Sequence, residues 1–159
     1  MTKKADFNAE EWSLLTEAPA VAGMIVITAD RGGMIRESMS MGRVYAEAQK
    51  EHGEGELLEE IVSSRPDVDP GRYKSTEEVH ERGLARITEA VNLLERKATP
   101  EETEGYKRFV IHLADTVAHA KKEGGVLGIG GKPVSDEERA ALEQIASALG
   151  TEPPPPDSR

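Results

Sequence analysis

Val21-Ala22-Gly23-Met24-Ile25-Val26-Ile27-Thr28-Ala29-Asp30-Arg31-Gly32-Gly33-Met34-Ile35-Arg36-Glu37 runs an apolar segment into a glycine corner, then opens a segment with acid near its start. A second stretch repeats the pattern. It leads from Phe109 to Gly130-Gly131-Lys132-Pro133-Val134-Ser135-Asp136-Glu137-Glu138 and on into an apolar stripe. Two such units predict an all-α, single-domain bundle with a helix–corner–helix pseudo-repeat. Val21, Ala22, Met24, Ile25, Val26 and Ile27 leave little polar face, and a helix apolar nearly all round belongs at the centre of a bundle.

Outward from these corners, four helix starts are spelled out. Asn8 with Glu11, Ser75 with Glu78, Thr99 with Glu102 and Ser135 with Glu138 each fit a capping box. In that arrangement the first side chain satisfies a free backbone N–H and the acid reaches back. Pro100 reinforces the third start, because proline in the first helical position gives up no hydrogen bond.

The patterns predict about six to seven helices. These are Ala9–Glu17, Pro19–Ala29, Met34–Lys50, Glu56–Ser63, Thr76–Lys97, Pro100–Lys122 and Asp136–Leu149. Pro66 and Pro70-Gly71 make a connector of the stretch from Ser64 to Lys74. His80, Leu84, Ile87, Val91, Leu94 and Ala98 form one inward stripe, and Tyr106, Phe109, Val110, Leu113, Val117 and Ala120 another. The last helix turns Ala140, Leu142, Ile145, Ala146 and Leu149 inward, and Gly150 closes it. The domain is residues 1–150, followed by a disordered proline-rich tail over 151–159.

Composition narrows the function classes. The chain has 159 residues, 37% of them apolar and only 4% aromatic, so aliphatic and alanine packing builds the core. Thirty acids against twenty bases give a net charge of −10, a field that repels phosphate backbones and argues against nucleic acid. With no cysteine there is no disulfide, thiolate site or cysteine nucleophile. The apolar run Ala18–Ala29 falls short of the roughly twenty residues a membrane span needs. A soluble cytoplasmic protein is the expectation.

Chemistry concentrates at the corners. Asp30 and Glu37 are placed to share one hard cation, Ca²⁺ or Mg²⁺, with corner carbonyls. The plainer alternative is that Asp30 ends one helix and Glu37 complements the dipole of the next. At the second corner Gly130 stands where the first has Asp30, leaving Asp136, Glu137 and Glu138, with Ser135 and Glu138 also readable as a cap.

Other motifs give less. The glycine run Gly124–Lys132 is no phosphate loop, since Val126 and Pro133 stand where Gly and Ser or Thr are required. His112, Asp115 and His119 share a helix face opposite the apolar stripe, a poor setting for a shielded metal. His80 falls on an apolar stripe, as a satisfied core histidine or as part of a small-molecule pocket beside the central helix. Gly42 and Gly83 interrupt helices, which calls for a close helix approach or a ligand beside the backbone. No triad, Gly-x-Ser-x-Gly or His-Glu-x-x-His is present, so an enzyme is the less favoured reading.

Ala29-Asp30 with Glu37, and Val134-Ser135-Asp136-Glu137-Glu138-Arg139 followed by Leu142, Ile145, Ala146, Leu149 and Gly150, resemble the tellurite-resistance TerB-like helical family. Arg31 and Gly130 depart from its repeated signature. The resemblance implies a pseudo-symmetric helical bundle with a role in stress or metal tolerance, in which acidic residues hold a divalent cation: Asp30 and Glu37 in the first copy, Glu137 or Glu138 in the second. The expected activity is non-enzymatic, through contacts with a protein partner. The alternatives are a small-molecule protein or enzyme using His80, and a structural oligomerisation partner.

Overall fold

The structure is a computed structural model that describes residues 2–29, 46, 55–64, 73–123 and 134–154, with backbone alone for 120–123. These residues form a short 3-10 turn, Lys4–Asp6, and five α-helices. The helices are α1 (Ala9–Ala29), α2 (Glu56–Ser63), α3 (Thr76–Lys97), α4 (Pro100–Glu123) and α5 (Asp136–Leu149). No strand occurs among the described residues. The chain is an all-helical bundle in which α1 packs against each of the other four helices.

Local chemistry sets the helix starts. Asn8 Oδ1 accepts from the Glu11 N–H at 2.8 Å while Glu11 Oε2 accepts from the Asn8 N–H at 2.9 Å. Thr99 and Glu102 exchange the same pair of bonds at 2.9 and 3.2 Å, and Ser135 and Glu138 do so at 3.1 Å each. Ser75 caps α3 by accepting from Glu78, but Glu78 reaches back to the N–H of Lys74. At the far end of α5, Gly150 takes the left-handed conformation with φ 73°, which suits a residue without a Cβ. Its N–H bonds the Ser147 carbonyl and that of Thr151 the Ala146 carbonyl, closing a Schellman turn.

One expectation is corrected at the centre. Ala9–Glu17 and Pro19–Ala29 are a single helix of 21 residues that passes straight through Pro19. Proline has no N–H and so deprives the Leu15 carbonyl of its helical partner. The buried Tyr106 hydroxyl on α4 donates to that carbonyl at 2.8 Å and fills the gap. The joined helix is therefore longer than its apolar run. By length and composition it would cross a bilayer, but 67% of its apolar window is buried inside the fold. Its Leu15, Val21 and Ile25 join Ile87, Leu94, Val110, Leu113 and Ile145 of the surrounding helices in one aliphatic core.

The stripes are inward as expected where their side chains are described, which leaves out Ala120, with two adjustments. On α3 the buried set is Val79, Gly83, Ile87, Ala90, Val91, Leu93 and Leu94, which leaves His80 and Leu84 at its edge, half-buried. On α5 Ala146 is inward as expected, but Ala141 is buried where Ala140 was expected and Ala140 is exposed, because Ala141 shares the helix face of Leu142, Ile145 and Leu149. The helix expected over Met34–Lys50 is described only at Ala46, which is helical. Both glycine corners and the tail beyond residue 154 lie outside the described residues.

Candidate functional site

Asp30 and Glu37 lie outside the described residues; α1 is described as far as Ala29, the residue before Asp30. Glu137 and Glu138 are both in the first turn of α5 but face differently. Glu137 is exposed, whereas Glu138 is 3% exposed with its carboxylate bound to the Ser135 N–H. Glu138 is thus engaged in starting the helix. Among the described residues no group of three or more His, Asp or Glu is arranged to hold a metal ion.

Two of the described histidines, His80 and His119, are tied to neighbours. His80 Nε2 hydrogen-bonds Gln144 Oε1, joining α3 to α5. His119 Nδ1 donates to the Asp115 carbonyl at 2.8 Å and lies 3.3 Å from the Asp115 carboxylate, while His112 on the same helix, α4, is exposed.

Gly83 is explained by packing. A Cβ there would stand 2.7 Å from Val21 Cγ1 and 2.8 Å from Ile25 Cδ1. The missing side chain lets α3 close onto α1, and the space is filled by protein. Gly42 lies outside the described residues.

Other polar groups were not legible from sequence. Glu17 is buried within the most apolar helix, where Arg86 Nη2 meets its Oε2 at 2.7 Å and the Ser13 hydroxyl donates to its Oε1 at 3.1 Å. Lys107 is 8% exposed, with Glu104 at 3.0 Å and Glu95 at 3.9 Å. A buried charge needs such partners, since water no longer solvates it. A charge falling next to an apolar run was the only hint available at Glu17.

A further polar cluster gathers where the chain enters α1. Lys97 Nζ donates to Glu11 Oε2 at 2.7 Å and to the Asp6 carbonyl at 3.1 Å. The Lys97 ammonium and the Asn8 N–H hold the Glu11 carboxyl below its ordinary value. At Glu102 partial burial pushes the carboxyl up, but hydrogen bonds from Thr2 and from the Thr99 backbone outweigh it and leave it lowered. Both acids are therefore held in the charged form.

Comparison with protein families, with characterised proteins and with solved structures finds no match to this chain.

Proposed function

We propose that the chain is a non-enzymatic, soluble cytoplasmic module resembling the TerB-like family, acting through contacts with a protein partner in stress or metal tolerance. In this reading six to seven helices form two helix–corner–helix units. Asp30 and Glu37 hold one Ca²⁺ or Mg²⁺ at the first corner. Glu137 is the acid of the second copy free to turn toward a cation, and Glu138 stays with its cap.

The observation that carries the reading is the course of α1. It is an apolar helix buried among amphipathic ones and is described to Ala29, the residue that precedes Asp30 in the sequence. Hard cations favour carboxylate and carbonyl oxygen. The space at Gly83, filled by Val21 and Ile25, speaks against the rival pocket beside the central helix.

Calorimetric titration of chelator-treated protein with Ca²⁺, Mg²⁺ and Zn²⁺ tests the cation. Saturable heat with Ca²⁺ or Mg²⁺, abolished in Asp30→Ala and in Glu37→Ala, is the expected result. Absence of saturable heat, or heat unchanged in both variants, removes the site.

A further inference from the structure

Residues 2–8 cross the end of the bundle before α1 begins, and their bonds reach all four of α1 to α4. The Thr2 N–H donates to Glu102 Oε1 on α4 at 2.9 Å, and the Lys4 N–H to Glu60 Oε2 on α2 at 2.8 Å. Lys97, the last residue of α3, donates from Nζ to the Asp6 carbonyl at 3.1 Å and to Glu11 on α1 at 2.7 Å. Its ammonium also stands 5.6 Å from the centre of the Phe7 ring, and that of Lys4 is 5.4 Å from the Trp12 ring. Phe7 in turn packs on Trp12 with ring centres 6.0 Å apart.

Two properties distinguish most of this segment from the bundle it covers, while Phe7 joins Trp12 in the bundle's own hydrophobic core. Lys3 to Asp6 are exposed, and only Thr2 and Phe7 are buried. Most of its fastenings are contacts of charged side chains near water, which salt screens and which individually contribute little. The bundle beneath is held by aliphatic burial, which salt does not screen. A segment held mainly by such contacts opens at lower free energy than helices packed in an apolar core unfold.

We propose that residues 2–8 form an ionic strap that opens as a unit while the bundle stays folded, with Lys97 as its fastening and the Trp12 face as what it uncovers. Raising ionic strength, or neutralising Lys97, shifts the strap toward the open form. The device makes exposure of one apolar surface responsive to the surrounding ions.

Trp12 is the chain's single tryptophan, so its accessibility reports the strap directly. Acrylamide, an uncharged quencher, is applied to full-length wild type, Lys97→Met and Phe7→Ala at low salt and at about 0.5 M NaCl, with far-ultraviolet circular dichroism alongside. The quenching constant of wild type is expected to rise about threefold with salt, and to be high at both salts in each variant, as helical signal holds. Phe7→Ala marks the quenching of a bared Trp12, and the salt response of wild type keeps the test decisive if Lys97→Met does not fold. Quenching that ignores salt, or that rises only as helical signal is lost in both variants, overturns the strap.

Discussion

Pro19 and Tyr106 complement one another across the core. Proline removes the donor that Leu15 would have had, and the Tyr106 hydroxyl replaces it from 91 residues away in the chain. Tyr106→Phe leaves the Leu15 carbonyl unpaired in an apolar setting and costs about 1–3 kcal/mol of stability. The same change in a Pro19→Ala background costs about 1 kcal/mol less, because alanine at that position restores the N–H. Equal losses in both backgrounds, measured by urea unfolding, would contradict the pairing. Gly83 makes a second prediction at this scale. Gly83→Ala places a Cβ 2.7 Å from the stiff Val21 side chain and lowers stability by about 1–3 kcal/mol. That is the loss left after the roughly 1 kcal/mol its helix propensity returns. Val21→Ala relieves the crowding, so the double variant unfolds at a higher urea concentration than additivity allows. Neither contact is legible in sequence. A tyrosine hydroxyl and a proline far apart carry no sign that they meet, and a lone mid-helix glycine fits a close approach and a ligand equally well.

Helices are where sequence and structure agree best, because their signals are local. A cap is complete within four residues, so Asn8, Thr99 and Ser135 announce their helices and the structure begins α1, α4 and α5 where they do. The break expected at Pro19 fails for the opposite reason, as the compensating group sits on another helix. Element ends also respond to pH through Glu11 and Glu102, whose carboxyls are both lowered from the ordinary 4.5. A carboxyl lowered by folding stabilises the native state above its unfolded value, and that contribution is lost as pH falls through the folded one. The junction of the strap with α1, α3 and α4 is therefore predicted to loosen as pH drops below about 4.5. Trp12 accessibility followed against pH should show this, with a flatter profile in Glu11→Gln and in Glu102→Gln. A profile identical in wild type and both variants would contradict it.

For the whole molecule, one helix does most of the organising. Helix caps and apolar stripes made an all-helical bundle legible, and the central position of residues 19–29 followed from their lack of a polar face. Charge partners were not legible: Glu17 meets Arg86 across 69 residues, a pairing that depends on how α1 and α3 cross. The bundle explains why a helix apolar enough for a membrane sits inside protein, with its buried Glu17 met by Arg86 and Ser13. Amide hydrogen exchange followed by mass spectrometry tests this most directly. Residues 20–27 of α1 should exchange slowest in the chain, only through global unfolding, with residues 2–8 opening far earlier. Exchange in 20–27 as fast as in residues 2–8 or in α2 would contradict a bundle built around α1.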